Sequence, residues 1–402
     1  MAEQTVRGIR CAPNRRTTEL PCLALDLFAG CGGMSVGLEN AGFKVIYANE
    51  LNEDAAATYR RNFPSVHLEV KDIRQVDATE LNRRLGRPRV DVISAGPPCQ
   101  GFSTAGKRNP RDKRNLLYRE VLRFVRVFRP KIVVVENVVG MLSTSKGRFV
   151  ERLEAELQAM GYNPHHKVLT ASSYGVPQRR KRVFIIAPSV LVSEQELFPR
   201  PSGTCVSVSQ ALADLAFLGV GESATEYKTP PRSCYQKHMR AKAGGLCNHV
   251  SPRHSDRVQE LFASIPQGRE ARSVFGEGYS GKHSRLRLHP QRRSRTLTTL
   301  PEDFVHYSQN RIPTVREMAR LQSFSDDFVF LGPRTTGGQN RKNECPQYTQ
   351  VGNAVPPLLA EAVFRNILRV LVKYYPHRTE AAQAPSESVR LVLAHQANGG
   401  LG

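Results

Sequence analysis

The chain has 402 residues, enough for two or three structural units around a large core, and its 58 Lys and Arg against 36 Asp and Glu give a formal charge of +22 and a pI near 10.0. That excess favours a polyanionic partner, nucleic acid before an anionic membrane, and says nothing about fold. No stretch approaches the roughly 18 apolar residues of a membrane span, the first 21 residues hold no signal-peptide core, and eight scattered cysteines form no C-x-x-C pair, so a cytoplasmic protein with reduced thiols is expected.

Residues 1–21 are polar, basic and aperiodic and read as a flexible arm. Leu23 to Phe28 then reads as a strand, Ala29 to Gly33 as a tight glycine turn, and Met34 to Ala41 as a helix closed by Gly42. Such a unit binds nucleotides, because glycine lets a ligand approach the backbone and a helix N-terminus offers N–H donors. The next apolar run, Lys44 to Asn49, delivers Glu50 about 20 positions after the first glycine, where a carboxylate can accept two ribose hydroxyl bonds. Ser35 stands where a dinucleotide fingerprint needs its third glycine, so an adenosyl cofactor without pyrophosphate fits better.

The alternation continues: Val66 to Val70 leads to Asp72, Val90 to Ser94 leads to Pro97-Pro98-Cys99, and Ile132 to Val135 leads to Glu136-Asn137. Near-continuous apolar runs separated by helical segments indicate parallel strands buried on both faces. Between the last two, Leu117, Val121, Leu122, Val125 and Phe128 recur at helical spacing until Pro130 stops them. Ligands of such sheets sit beyond the carboxyl ends of the strands, so the glycine turn, Glu50, Asp72, Cys99 and Glu136 are expected to converge. Two prolines fix the backbone before Cys99 and lay it out as a nucleophile, although a free cysteine is more commonly a small buried hydrophobe.

A helix at roughly 147–160 precedes the basic run Gln178 to Arg182, which enters the strand Val183 to Ile186. From 188 to 300 the rhythm disappears, and residues 228–300 carry fifteen Lys or Arg against four Asp or Glu, the footprint of a phosphate-contacting surface. Lys107 to Arg129 is a second basic patch. Cys234, Cys247, His249 and His254 have zinc-type chemistry, but their spacing matches no common ligand pattern and no metal site is expected. A helix is predicted near Val315 to Gln322, and another opens after Pro356-Pro357 and runs to about Tyr374.

Six blocks stand out in this order: DLFAGCGG at 26–33, GPPCQGFS at 96–103, ENV at 136–138, QRRKRVF at 178–184, RSRTLTTL at 293–300 and QVGNAVPP at 350–357. On them, the chain closely resembles the DNA (cytosine-5) methyltransferase family over roughly residues 22–373. The resemblance implies a Rossmann-like α/β methyltransferase fold with a mostly parallel sheet and a smaller, irregular target-recognition domain. It divides the chain into an arm (1–21), a catalytic and cofactor-binding part (22–190), a target-recognition region (191–300), a returning catalytic segment (301–375) and a flexible tail (376–402).

The resemblance also implies S-adenosyl-L-methionine as methyl donor and double-stranded DNA as partner, with the target cytosine flipped out of the duplex. By the same match Cys99 adds to cytosine C6, Glu136 holds N3 and the exocyclic amine, and Arg180 with Arg182 fixes the O2 edge. Phe28, Gly30, Gly32, Glu50, Asp72, Ile73, Pro97, Asn353 and Val355 match the cofactor pocket. Gln100, Ser103, Lys107, Arg108 and Gln178 are expected to face DNA, and the glycine-flanked region supplies Arg269, Arg272, Lys282 and Arg285 as candidate base readers. A tRNA cytosine-5 methyltransferase is a rival reading, against which the Cys-Phe-Thr of that branch is absent here. A silent DNA-binding regulator is a second, against which both Cys99 and Glu136 are present. The expectation is a bacterial, monomeric, stand-alone enzyme, paired in function with a restriction endonuclease or acting alone.

Overall fold

The computed structural model describes residues 21–98, 116–143, 148–276, 279, 281–282, 284–335 and 344–376. Its centre is a seven-stranded sheet in the order β3-β2-β1-β4-β5-β8-β6. The strands are β1 (Cys22–Leu27), β2 (Phe43–Glu50), β3 (His67–Val70), β4 (Val92–Ala95), β5 (Ile132–Val138), β6 (His165–Thr170) and β8 (Lys181–Pro188), with β7 a two-residue strand at Gln178–Arg179. Strands β1 to β5 pair in parallel, while β8 lies antiparallel between β5 and β6. The basic run thus enters the sheet from the end at which β5 leaves it.

Helices α1 (Gly33–Asn40), α2 (Glu53–Asn62), α3 (Ala78–Arg84), α4 (Tyr118–Phe128), α5 (Gly140–Ser143) and α6 (Arg148–Ala159) cover the sheet. Strand residues alternate between two cores, which is why the runs read as uniformly apolar. Ile132 and Val134 join one core with Met34 and Leu38 of α1, whereas Val133 and Val135 join the other with Val121 and Leu122 of α4. Side chains start the helices where the sequence offers them: Asn52 accepts from the Asp54 and Ala55 N–H groups at α2, and Asp77 accepts from Thr79 and Glu80 at α3.

β1 is flanked by β2 on one side and by β4 on the other. The chain builds outward from β1 to β3, then reverses through β4 to β5, and such a switch point opens a crevice at the carboxyl ends of its two central strands. The glycine turn follows β1 there, and Gly96-Pro97-Pro98 follows β4.

Beyond β8 the elements are short: α7 (Glu194–Leu197), α8 (Val208–Leu212), α9 (Cys234–Arg240), α10 (Asp256–Ala263), α11 (Ala271–Phe275), β9 (Leu286–Arg287), β10 (Ser294–Arg295) and β11 (Phe304–Val305). They lead to α12 (Val315–Leu321), α13 (Gln347–Asn353) and α14 (Pro357–Tyr374). The irregular region shares the main core through Val206, Val208, Leu212, Tyr235, Met239 and Leu288, and Phe262, Ile265, Ala271, Val305 and Ile312 form a small separate cluster. β10 pairs with β7, which binds the far end of that region to the basic run. α14 returns onto α1, and the approach is close enough that a Cβ on Gly37 would lie 2.4 Å from that of Ala360. No helix among the described residues is long and apolar enough to cross a membrane.

Every residue of α12 is buried, including Arg316, Glu317 and Arg320. Arg320 pairs with Asp326 and with Asp214, the latter at 3.1 Å, and donates to Ala211 O at 2.8 Å. Arg311 grips Glu317 through two bonds of 2.7 Å, and Arg316 donates to the carbonyls of Cys247 and Ser325. Removing one partner of such a buried pair strands the other charge, a loss of about 3–5 kcal/mol, while an exposed i,i+4 pair contributes about 0.3–0.5 kcal/mol. Arg320→Ala should therefore lower the unfolding free energy in urea by about 3–5 kcal/mol, whereas Arg365→Ala, which breaks the exposed pair with Glu361, should change it by under about 0.5 kcal/mol. Equal losses would contradict this role for α12.

Candidate active site

The crevice is a cleft of about 1950 Å³ bordered by Phe28, Gly30, Glu50, Asp72, Ile73, Pro97, Pro98, Glu136, Arg180, Arg182, Asn353 and Val355. Phe28 follows the end of β1, and its φ of 59° is a left-handed conformation that a bulky side chain adopts only under constraint. Gly30 follows at φ 56°, and a Cβ there would meet nothing within 4 Å, so the turn leaves open space over its backbone. Its N–H donates to Glu50 Oε2 at 2.8 Å, while Asn52 N donates to Oε1 at 2.8 Å. Those bonds orient the carboxylate at the rim, and burial still raises its pKa above the usual range. Asp72 accepts from Arg74, which holds its carboxyl below the ordinary value.

Gly32 does not border the cleft. It sits at φ 102°, and a Cβ would fall 2.4 Å from the Phe63 ring, so packing against α2 and the left-handed backbone by themselves require a glycine here.

At the next strand end, Glu136 is 7% exposed, and its Oε1 lies 3.0 Å from Arg182 Nε. Burial raises its pKa, and Arg182 and then Arg180 oppose that rise. Asn137 donates to Pro97 O at 3.1 Å, tying the end of β5 to the chain that leads into Cys99. Cys99 itself lies outside the described residues, as do Gln100, Ser103, Lys107 and Arg108.

Strand alternation through 178–182 buries Arg180 and leaves Arg179 and Lys181 exposed at the cleft mouth. Arg180 spends its terminal nitrogens on Leu297 O at 3.1 Å and Gly352 O at 2.8 Å, and its buried Nε has no hydrogen-bond partner among the described residues. Burial, then the neighbouring Arg182, holds its pKa well below that of an ordinary guanidinium. Gln178 is fully buried: its amide donates to Leu321 O and Gln322 Oε1 and accepts from Leu297 N, leaving no free hydrogen for a DNA base.

Of the four candidate readers, Arg269 and Arg272 are exposed. Lys282 pairs with Asp303 at 2.7 Å, and Arg285 donates to Glu302 O at 3.0 Å with its guanidinium over the Phe262 ring. These two are engaged within the protein. Both ring nitrogens of His249 are hydrogen-bonded, to Thr314 Oγ1 and Leu215 O, and Cys234 and Cys247 are exposed.

A family model described as C-5 cytosine-specific DNA methylase matches residues 23–369. The chain belongs to that family. It is 38% identical over 367 residues to the type II methyltransferase M.DdeI of Desulfomicrobium norvegicum, covering 85% of this chain and 88% of the relative. It is 34% identical over 359 residues to M1.HphI of Haemophilus parahaemolyticus, covering 87% and 88%. A crystal structure of a prophage-encoded Escherichia coli chain, described as a DNA modification methyltransferase, superposes with a TM-score of 0.71 at 26% identity over 87% of this chain and 99% of that one. This C-5 cytosine-specific methylase acts on double-stranded DNA with S-adenosyl-L-methionine as methyl donor, so the tRNA and regulator readings are not favoured. The cleft suits that cofactor: it has an open glycine turn and an oriented carboxylate at its rim.

One buried carboxyl of the methylase escaped the sequence reading. Asp26 accepts from Ser35 Oγ at 2.6 Å and Ser94 Oγ at 2.7 Å, and Ser35 also bonds Tyr59, joining β1, β4, α1 and α2 under the glycine turn. Burial raises its pKa from the ordinary 3.8 to about 6 against the pull of both hydroxyls. The folded state therefore holds this proton more tightly than the unfolded chain, so the stabilisation is full below about pH 4 and is lost as pH rises to about 6. Between pH 4 and pH 7, wild type should lose about 2 kcal/mol relative to Asp26→Asn in urea unfolding. Parallel pH profiles for the two proteins would contradict the raised pKa.

Proposed function

We propose that the enzyme transfers its methyl group to C5 of a flipped cytosine within a specific duplex sequence, through a covalent bond between Cys99 Sγ and cytosine C6. Cytosine C5 is a weak nucleophile, and addition of a thiolate at C6 pushes an electron pair toward C5. S-adenosyl-L-methionine, when bound, supplies an electrophilic methyl on a sulfonium. Glu136, held by Arg182, faces N3 and the exocyclic amine, and its raised affinity for a proton suits a carboxyl that shares one with N3 as charge develops on the ring. After C5 is methylated, a base removes its proton, the C6–S bond breaks with its electron pair returning to sulfur, and Cys99 is regenerated.

The observation that carries this reading is the Glu136–Arg182 pair, sharing one cleft with the Gly30–Glu50 turn and with the Pro97-Pro98 segment that leads into Cys99. Phe28, Gly30, Glu50, Asp72, Ile73, Pro97, Asn353 and Val355 form the cofactor set in this account. Exposed Arg269 and Arg272, with Arg179 and Lys181 at the mouth, are assigned to DNA. The protein works as a monomer beside a restriction endonuclease that it does not bind stably.

Two variants test the division of labour. Cys99→Ser should abolish tritium transfer from labelled cofactor to DNA with cofactor affinity unchanged within about twofold, since the hydroxyl is far harder to ionise. Glu50→Ala should weaken the cofactor by about 2–4 kcal/mol in calorimetry and leave duplex binding intact. Turnover by the serine variant, or unaltered cofactor affinity in the alanine variant, would overturn the corresponding assignment.

A further inference from the structure

α13 ends at Asn353, just before Val355, and among the described residues only one of its last four carbonyls, that of Gln350, takes a backbone N–H from the segment that follows, at 3.2 Å from Ala354. Pro356 and Pro357 carry no N–H, so the backbone cannot supply the turn that ordinarily caps a helix C-terminus. Two side chains from elsewhere do so instead. Gln322, one residue past α12, donates through Nε2 to Val351 O at 2.9 Å and Ala354 O at 2.7 Å, and Arg180 donates to Gly352 O at 2.8 Å and Asn353 O at 3.5 Å.

The polarity of this cap is fixed by backbone groups. Leu297 N can only donate, so the Gln178 oxygen must face it, and Gln178 Nε2 then faces Leu321 O and Gln322 Oε1. That makes the Gln322 oxygen an acceptor and turns its amino group to the two carbonyls of the α13 end. Gln322 and Gln178 are both 0% exposed, so neither can exchange a lost bond for water. The pair thus connects the turn that carries Asn353 and Val355, the 178–182 stretch that carries Arg180 and Arg182, and the 296–299 segment at the cleft.

We propose that Gln322 is a positioning residue that, through Gln178 and alongside Arg180, sets the α13 terminus at the cofactor end of the cleft and the arginine strand at the base end in a single arrangement. This rests on the assignment of Asn353 and Val355 to the cofactor and of Glu136 with Arg182 to the base; Arg180, whose terminal nitrogens are spent on Leu297 O and Gly352 O, holds the site together in place of the contact with the base O2 edge that the family resemblance implies. Gln322→Met conserves volume and removes both donors and the acceptor, and Gln322→Glu conserves shape but presents an acceptor to two carbonyls.

The test measures S-adenosylmethionine affinity by calorimetry, kcat on duplex DNA, and duplex affinity without cofactor, with Asn353→Ala in parallel. Each Gln322 variant should weaken the cofactor about tenfold or more and lower kcat as well, with cofactor-free duplex affinity changed less than about twofold; a tenfold change is about 1.4 kcal/mol, within the cost of leaving a buried carbonyl unpaired. Gln178→Met should act similarly, and the double variant should fall well short of the sum of the singles, because both belong to one chain of bonds. Should Gln322→Met fail to fold, Gln322→Glu and Gln178→Met carry the same measurements. Variants that melt earlier but keep cofactor affinity and kcat would overturn the proposal and leave Gln322 a packing residue. Unchanged cofactor affinity in Asn353→Ala would instead overturn the cofactor assignment, and the kcat loss in the Gln322 variants would then decide the proposal alone.

Discussion

Two nitrogens of Arg180 donate to Leu297 O and Gly352 O, so one guanidinium, 1% exposed, binds together stretches of chain 117 and 172 residues apart. Desolvating a charge that deep costs several kcal/mol, which these bonds offset in part, since Nε has no hydrogen-bond partner among the described residues. The packing around Arg180 is accordingly close: a Cβ on Gly352 would lie 2.3 Å from Thr298 O. The cleft cannot be assembled from the first 190 residues alone, because its far wall is the returning segment, held through this contact and through α14 on α1.

The same constraint partitions the positive charge. Several internal arginines are neutralised by nearby carboxylates: Arg320 by Asp214 and Asp326, Arg311 by Glu317, and Arg182 by Glu136. Within the irregular region Arg240, Arg295 and Lys282 also have carboxylate partners. Exposed basic residues, of which Arg179 and Lys181 border the cleft, are the part that can attract phosphates, and such attraction is screened by salt in a way the buried pairs are not. A single composition thus serves two tasks, internal cross-linking where secondary structure is sparse and long-range attraction to a polyanion.

What the sequence made legible was whatever is local. Apolar runs with period-2 burial on both faces gave the strands, the residues following them gave the cleft rim, and the glycine turn with Glu50 gave an oriented carboxylate. Long-range contacts were not legible. Gln178 lies in a basic run that reads as a DNA-facing surface, and only the pairing of β7 with β10 and the packing of α12 bury it. Arg316, Glu317 and Arg320 look like the solvated face of a helix, since Asp214 arrives from 106 residues away and nothing in the sequence shows that the chain on either side of α12 folds Arg311 and Asp326, each six residues from its partner, back onto the helix. Gly32 reads as a ligand-contacting glycine because spacing cannot distinguish room for a cofactor from room for the Phe63 ring. Asp26 was overlooked for a related reason: a carboxylate inside a strand is significant only once Ser35 and Ser94 are known to face it.

Covalent chemistry at Cys99 is proposed from the residues beside it, since Pro97-Pro98 leads into it in the chain and shares a cleft with Glu136 and Arg182. Its most direct test is incubation of the enzyme and cofactor with duplex DNA carrying 5-fluorocytosine at the methylated position, followed by mass spectrometry of the digested complex. Fluorine cannot leave C5 as a proton does, so a stable protein–DNA adduct at the peptide containing Cys99, dependent on the cofactor, is expected. No adduct with an enzyme active on ordinary cytosine, or an adduct on another residue, would contradict it.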